Sequence, residues 1–439
     1  MMSKRAFACS SAAILIGYDM TLIGSIIANT EFVEFFGTYD NAAQSWALPA
    51  SHQLIWSLVQ YVSALVGALC SGLFNDTFGR RPAFLSVILC KAPFLSTSLS
   101  SPRANVRGFL LSLFQFWIIV GSFLAACVLE GTTHVPNAWP WKGTVVSQIG
   151  LGAICLALFL PVVPESPYYL VANSKTGAAR AALIKLRGRE VGYGVDENLG
   201  TIISTLEHER KNQSEAPSFI ECFKGTDFRR TLIACLPMAM QHFMGYGLCG
   251  NYLAYFLNLS GFRNSFLITL ISMFIGLFAG AFSFLIIEHV GRRPQLLFGS
   301  FVVCLCLLVI GILGFVKPRS QSTSIGVAIL CIIWNAFYYI SVGAVGWTIT
   351  SEMTSSRLRS KSNALAAGVN SLFNMAWSIA IPYLVNTENA NLGAKTGLVY
   401  FVPGVCLFVL AYFVVPETKG KTCDELDKLF EAHTPARKF

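Results

Sequence analysis

Two short charged stretches of this chain repeat one pattern, acid-x-x-Gly-Arg-Arg-Pro, and each lies between two apolar runs. Their charged members are Asp76, Arg80 and Arg81 in the first copy and Glu288, Arg292 and Arg293 in the second. Paired arginines beside an apolar run can simply anchor membrane spans on the positively charged side. Because the pattern occurs twice, it favours a transporter with two similar halves, each with a charged loop at the same position.

A single carboxylate, Asp19, lies inside the first apolar run. An ionisable side chain within a membrane span is energetically costly, and it is therefore a functional candidate by default. Burial disfavours the charged form of a carboxyl group, so the chemistry open to Asp19 is reversible protonation.

The composition places the chain in a membrane. Of its 439 residues, 54% are apolar and 13% are charged, whereas a soluble chain carries about 25% charged residues. Apolar stretches of about 20 residues recur, and each is long enough to cross the hydrocarbon layer of a bilayer. The net charge of +9 comes from basic loops that set orientation in the membrane, so it gives no indication of nucleic-acid binding.

The 13 cysteines lie mostly inside apolar stretches, where cysteine is usually a small buried apolar residue. No Cys or His spacing in the sequence indicates a metal site, and we find no nucleophile–base pair or phosphate-binding loop. We therefore expect no metal, no cofactor and no enzymatic activity.

Eleven candidate spans predict an all-α membrane protein built of two helical bundles. They are residues 7–28, 52–74, 83–100, 107–129, 143–163, 231–257, 265–287, 295–315, 324–348, 363–385 and 396–415. The predicted domains are an incomplete N-terminal bundle at 1–163, a cytoplasmic linker with short helices at 164–230, a six-helix C-terminal bundle at 231–415 and a cytoplasmic tail at 416–439.

The candidate span at 83–100 conflicts with the rule that basic loops lie on the cytoplasmic side. Basic groups at 80–81 and 103–107 flank it, so a single crossing would place them on opposite sides. Lys91 and Pro93 interrupt the span, and a lysine at mid-bilayer costs about 2.5–3.5 kcal/mol. Either the segment is a re-entrant or distorted hairpin, or a neighbouring span is absent.

A series of short motifs follows in order along nearly the whole chain. They are Gly17-Tyr18-Asp19, the two Gly-Arg-Arg loops, Arg107-Gly108, Pro164-Glu165-Ser166-Pro167, Gln241, Ser351-Glu352 with Arg357-Leu358-Arg359, and Pro416-Glu417-Thr418-Lys419-Gly420. In this order they resemble the sugar-porter branch of the major facilitator superfamily. Residues 167–171, 218–226 and 394–397 are similar to segments of fungal α-glucoside (maltose-type) permeases.

The resemblance implies a fold of twelve helices, of which this chain lacks the fourth. Residues 99–101 run almost directly into the loop that precedes the family's fifth helix. About 40–50 residues are absent, judged from the length of two crossings and a loop. A spliced variant, a decayed gene or a misread gene model would each produce such a gap.

The resemblance also implies a sugar site near the middle of the membrane. A neutral polyhydroxylated ligand needs amide or hydroxyl groups for hydrogen bonds and an aromatic face for its ring. The candidate binding residues are Gln115, Gln241, His242, Asn251 and Trp347. Gly247 stands where hexose transporters of the family have asparagine, which argues against a hexose. Each candidate could instead make an interhelical hydrogen bond or pack as an aromatic.

In proton-coupled members of the family, the aspartate that Asp19 matches works opposite an arginine on the fourth helix. Because that helix is missing here, Asp19 is expected to have lost this partner and to remain neutral. It is nevertheless our candidate for proton coupling.

Charged residues at the ends of spans are expected to form a cytoplasmic gate. They are Asp76, Arg80, Arg81, Glu288, Arg292 and Arg293, with Glu165, Glu352, Arg357 and Arg359 as partners. An exposed pair contributes only about 0–1 kcal/mol, but several together can bias two conformations that differ by a few kcal/mol. The alternative, that these charges only anchor the spans, stays open.

These expectations describe a monomeric transporter of the plasma membrane with several spans and cytoplasmic termini. Its substrate is expected to be an α-glucoside such as maltose, its co-substrate a proton and its mechanism alternating access. Two alternatives stay open: a transport-inactive relative with a regulatory role or none, and a nutrient sensor. Asn258 begins an Asn-x-Ser sequon on a predicted outer loop, but we do not expect it to be glycosylated.

Overall fold

A computed structural model describes most of the chain, in segments. The described residues are 4–40, 45–49, 51–60, 62–63, 104–133, 139–162, 165, 167–187, 194–211, 219–259, 264–316, 321–354, 358–386, 390–421, 423–432 and 435–436. Asp76, Arg80, Arg81 and Arg357 lie outside them, as do the side chains of Glu288 and Arg359. The predicted hairpin at 83–100 also lies outside them.

Helices make up nearly all of the described chain. They are Lys4–Ile26 (α1), Thr30–Phe36 (α2), Ala104–Thr133 (α3), Trp139–Val162 (α4), Pro167–Ala172 (α5), Thr176–Arg187 (α6), Val195–Lys211 (α7), Gly225–Gln241 (α8), Leu253–Leu259 (α9), Ser265–His289 (α10), Arg292–Leu313 (α11), Gln321–Ile340 (α12), Val342–Met353 (α13), Arg359–Val385 (α14), Thr396–Val414 (α15) and Cys423–Glu431 (α16). Shorter helical pieces are the 3-10 turns Phe219–Phe223 and Gly393–Lys395, the π-type segment His242–Asn251, and residues 51–60.

Seven of the described helical stretches are long and apolar enough to cross a membrane. An eighth is added if Ala13–Ile26 and Thr30–Phe36, which meet at an angle of 71°, form one broken span. The prediction of an all-α membrane protein is thus confirmed for the part of the chain that the structure describes. The total of eleven spans stays a prediction.

One small β-hairpin departs from the all-helical expectation. Its strands, Thr38–Asp40 (β1) and Ser45–Ala47 (β2), pair antiparallel with Tyr39 opposite Trp46. The two rings meet edge to face, with their centroids 5.5 Å apart. Strands of three residues are too short to be stable alone, and α2 packs against this hairpin. Such short strands leave no alternating pattern in the sequence to predict them.

The described residues divide into two compact units. One contains those within 1–12, 62–98 and 150–218, and the other those within 13–61, 99–149 and 219–439. In the first unit, Arg180 of α6 donates two hydrogen bonds, of 2.7 and 3.1 Å, to the carboxylate of Asp196 in α7. The Arg180 guanidinium holds the pKa of that carboxyl below its ordinary value. The domain boundaries at 163, 230 and 415 stay predictions.

In the second unit, glycines allow α1 and α3 to touch backbone to backbone. A methyl group on Gly17 would overlap the backbone of Ile118, and one on Gly121 would overlap the carbonyl of Ile14. The hydroxyl of Ser122 donates to the carbonyl oxygen of Gly17 at 3.2 Å. Such small-residue contacts are how membrane helices pack closely. Helix α3 also packs against α10 and α13, which brings the helix of Gln115 beside the helix of Trp347.

Candidate functional site

The long helical stretch that begins at Gly225 is broken in its middle. Inside the π-type segment, Met244 and Gly245 leave helical geometry, and Gly245 has a φ of +91°, which glycine adopts without steric cost. The indole N–H of Trp334 donates to the freed carbonyl of Met244 at 2.9 Å. A break of this kind presents polar groups near the middle of a membrane, as the discontinuous helices of transporters do.

Three polar side chains meet at the start of this break. The Nδ2 group of Asn370, in α14, donates to Oε1 of Gln241 at 3.0 Å, and Asn370 lies beside His242. The Nε2 group of Gln241 donates a longer bond, of 3.4 Å, to the carbonyl oxygen of Val342. Gln241 therefore connects α8 with both α13 and α14. The alternative to sugar binding, an interhelical hydrogen bond, is thus present in this structure.

His242 is enclosed but not fully satisfied. Its side chain is only 4% exposed, and its Nε2 atom has no hydrogen-bond partner among the described residues. Leaving a buried polar atom without a partner costs about 1–3 kcal/mol. A ligand hydroxyl that reached this nitrogen would recover that cost.

Aromatic side chains of the π-type segment, α14 and α15 pack together near the break. Trp377 and Tyr400 stack with their centroids 4.0 Å apart, and Phe243 meets Trp377 edge to face at 5.6 Å. A methyl group added to Gly247 would lie 2.9 Å from the Tyr400 hydroxyl and would overlap Ile381. The structure therefore leaves no room for a larger side chain at position 247.

The other predicted binding residues also belong to the second unit. Gln115 in α3 is buried and Trp347 in α13 is half-buried, on two helices that pack together. Asn251 is buried at the far end of the π-type segment, and its carbonyl would overlap a methyl group on Gly24 of α1. The structure thus brings Gln241 and His242 together, whereas Asn251 packs against α1.

Asp19 is half-buried in α1, and its Oδ1 atom is enclosed by protein. It interacts electrostatically with the neighbouring Tyr18. The Tyr18 hydroxyl lies 2.5 Å from Oγ of Ser147 in α4. Tyr18, which precedes Asp19, therefore links α1 to α4 through a polar contact.

A charged cluster connects the ends of α11, α13 and α15. Arg292 donates to Oε1 of Glu352 at 3.2 Å, and the hydroxyl of Thr418 donates to Oε2 of the same carboxylate at 2.5 Å. Glu417 accepts hydrogen bonds from the backbone N–H groups of Arg292 and Arg293, at 3.0 and 3.2 Å. A carboxylate at the first turn of a helix satisfies free N–H groups and complements the positive end of the helix dipole.

Gly291 shows why a glycine precedes the two arginines in this motif. Its φ is +106°, and a methyl group on it would lie 2.6 Å from the Glu417 carboxylate. The Arg293 guanidinium donates to the carbonyl oxygen of Tyr412 at 2.8 Å. All these contacts lie within the second unit, whereas Glu165, a predicted partner, belongs to the first.

Sequence reasoning missed Asn370, Glu417 and Thr418 as members of these sites. Asn370 carried one signal, an amide inside an apolar span. Glu417 and Thr418 belong to the Pro416–Gly420 motif, which carries the family resemblance but for which no gating role is predicted. In the described segments no group of His, Cys, Asp or Glu side chains is arranged to hold a metal ion.

A family model described as "Sugar (and other) transporter" matches residues 5–94 and 92–430. The chain belongs to this family. Its match to "MFS transporter fmqE" of Aspergillus fumigatus is 30% identical over 474 residues, covering 99% of this chain and 86% of that protein. Its match to the "General alpha-glucoside permease" of Saccharomyces cerevisiae is 29% identical, covering 98% of this chain and 75% of the permease.

Solved structures of the E. coli xylose transporter XylE share the fold of this sugar transporter. The partially occluded, inward-open form superposes with a TM-score of 0.72 at 19% identity, covering 95% of this chain and 99% of that one. The chain is therefore a multi-pass membrane protein with the fold of the major facilitator superfamily, and the family resemblance seen in the motifs is confirmed. Family and fold are those of transporters.

Proposed function

We propose that this sugar transporter carries a neutral α-glucoside, such as maltose, across the plasma membrane by alternating access. The observation that carries the proposal is the cluster of Gln241, His242 and Asn370 at the break in the membrane helix. Two amides and an imidazole offer donors and acceptors without a fixed charge, which suits hydroxyl groups. Aromatic rings beside them supply an apolar face for a sugar ring.

The surroundings of Gly247 support an α-glucoside over a hexose. The space that an asparagine would need at this position is taken by the Tyr400 hydroxyl and by Ile381. The Tyr400 hydroxyl is enclosed and has no hydrogen-bond partner within the described segments, so it is a second group that a sugar hydroxyl would satisfy. One relative is named an α-glucoside permease, although the name of another gives no substrate.

Proton coupling through Asp19 is part of the proposal. The residue is a carboxyl group inside a span, with one oxygen enclosed, and XylE, which shares the fold, is named a proton:xylose symporter. The two segments of the family match meet at residues 92–94, which supports a gap where the fourth helix is expected. A transport-inactive relative is the competing proposal, because that gap removes the arginine expected opposite Asp19.

We propose that the contacts around the end of α1 form one gate of this cycle. Gly24 touches the backbone of Asn251, and the amide of Asn258 donates to the carbonyl oxygen of Ala28 at 3.0 Å. Tyr255 hydrogen-bonds with Asn386 nearby. We propose that this end faces outside and that the charged cluster around Arg292 and the chain termini lie in the cytoplasm. The engaged amide of Asn258 also supports the expectation that it carries no glycan.

Binding to the purified full chain tests the substrate and the site together. In isothermal titration calorimetry we expect maltose to bind more tightly than glucose, and Gln241→Ala to weaken maltose binding about tenfold. That factor corresponds to one lost hydrogen bond of about 1–1.5 kcal/mol. Equal affinity for the two sugars would remove the α-glucoside assignment, and unchanged affinity of the variant would remove the site.

A further inference from the structure

Apolar side chains are exposed where α8 begins, far along the helix from the proposed sugar site. Four of them lie within ten residues: Phe219, Ile220, Phe223 and Phe228 are 51%, 65%, 56% and 48% exposed. Phe228, which lies inside α8, is the nearest to His242 along the chain, and the separation of 14 residues between these positions corresponds to about 21 Å at the rise of an α-helix. This patch therefore does not belong to the sugar site.

Two lysines border the exposed rings. Lys224 is exposed and immediately precedes α8, and Nζ of Lys361, in the first turn of α14, lies 5.1 Å from the ring centroid of Phe219. We call the four apolar residues and these two lysines the aromatic–basic surface. The neighbouring carboxylates, Glu221 and Asp227, each interact with other groups of the protein.

The next basic residues along the chain are directed elsewhere. The guanidinium groups of Arg229 and Arg230 lie over the ring of Phe430 in α16, at 5.5 and 4.9 Å, and Arg230 also donates to the carbonyl oxygen of Met353 at 2.9 Å. Among the side chains that the structure describes, Lys224 and Lys361 are accordingly the cations of the aromatic–basic surface.

The 3-10 turn holds its apolar side chains outward in a fixed orientation. Cys222 is fully buried, and its Sγ atom lies 3.7 Å from Oγ of Ser362 in α14. Phe219, Ile220 and Phe223 of the same turn remain more than half exposed. Because α8 continues directly into a membrane-spanning stretch, this turn lies at the level where the chain enters the bilayer.

We propose that the aromatic–basic surface binds anionic phospholipid at the end of the span. The phenyl rings and Ile220 insert below the headgroups, as aromatic and apolar residues do at a membrane interface. Lys224 and Lys361 pair with the negative headgroup, to which lysines near an anionic membrane surface are attracted. The same lysines beside exposed phenyl rings would suit a soluble anion poorly, because the rings would remain in water.

Lipid binding is measured without any sugar, so its outcome is independent of the proposed transport function. The purified full chain in a neutral detergent is titrated with fluorescent phosphatidylserine and, separately, with phosphatidylcholine of the same acyl length. We expect the wild type to prefer phosphatidylserine. Lys224→Gln with Lys361→Gln should weaken phosphatidylserine binding about 30-fold, or about fivefold per lysine, with little change for phosphatidylcholine.

Two further variants separate headgroup recognition from general effects. Ile220→Ser with Phe223→Ser should weaken the binding of both lipids alike, because it removes the inserted groups. Lys185→Gln replaces an exposed lysine on α6 and should change the binding of neither lipid. The proposal is overturned if the double lysine variant binds phosphatidylserine as the wild type does, if Lys185→Gln loses as much, or if glycerol phosphate competes as well as the intact lipid. Circular dichroism confirms that each variant is folded.

Discussion

In the proposed sugar site, the Gln241 side chain is already held in place before a ligand binds. Its Oε1 atom accepts from Asn370 and its Nε2 group donates to the carbonyl of Val342. These two bonds determine the orientation of the amide. Ordering a flexible side chain on binding costs about 0.5–1.5 kcal/mol. Because the contact with Asn370 already orders the Gln241 side chain, sugar binding would not have to overcome this cost. Asn370 is on this account a positioning residue for the sugar site.

Replacing Asn370 tests this positioning role. Asn370→Ala, and Asn370→Asp, which keeps the size but loses the Nδ2 donor, should each raise the KM for maltose about five- to tenfold. Vmax should stay within about twofold. Ser371→Ala is the matched control, because the exposed Ser371 hydroxyl donates to the backbone of its own helix, at 3.0 Å. If only Vmax changes, or if Ser371→Ala has the same effect as the Asn370 variants, Asn370 has a structural role instead.

A second residue-scale prediction concerns the glycine before Arg292. Gly291→Ala should lower the free energy of unfolding by about 1–2 kcal/mol, because a side chain at positive φ is strained, and contact with Glu417 adds to the cost. The melting temperature in detergent measures the loss. Gly131→Ala is the control, since no atom of the described residues lies within 4 Å of a methyl group there, and it should be neutral or stabilising. Equal melting temperatures for both variants would contradict the account.

At the scale of single residues, the kind of side chain in the candidate site could be predicted from the sequence better than the full set of residues that form it. Gln241 and His242 are adjacent in the chain, so a polar pair inside an apolar run was visible without a structure. Asn370 lies over a hundred residues away, and its bond to Gln241 depends on how α8 and α14 pack. Sequence alone does not contain that packing.

Helix positions could be predicted well where a span is continuous. The predicted spans at 265–287 and 363–385 correspond to α10, Ser265–His289, and α14, Arg359–Val385, since a long apolar run specifies a membrane helix. The breaks inside spans were not predicted. At 242–251 and at Ser341, between α12 and α13, hydropathy stays high, and the chain leaves helical geometry because of local backbone conformation and neighbouring helices.

The contact of α1 with the broken span gives a prediction at the scale of elements. Gly24→Val should prevent closure at this end, because any side chain there overlaps the backbone of Asn251. Maltose binding should persist while transport falls to background. Ser57 is 3% exposed. When Ser57→Cys is added, an impermeant maleimide should label residue 57 more in the Gly24→Val protein than in the protein that keeps Gly24. Gly131→Val is the control, and transport by Gly24→Val at the wild-type rate would contradict this gate.

For the whole molecule, the question is whether transport uses a proton. Asp19→Asn should abolish accumulation of maltose driven by a pH gradient but preserve exchange of maltose at equal concentrations, because only coupling needs the ionisable group. Glu34→Gln, which removes an exposed carboxylate on α2, should leave both activities intact. Undiminished accumulation by Asp19→Asn would exclude this residue as the coupling site.

Counterflow of labelled maltose into liposomes that contain the purified chain tests the central claim most directly. The account predicts saturable uptake that excess unlabelled maltose inhibits and that Gln241→Ala reduces at low maltose concentration. If the folded wild-type protein accumulates no more label than empty liposomes, the chain does not transport an α-glucoside.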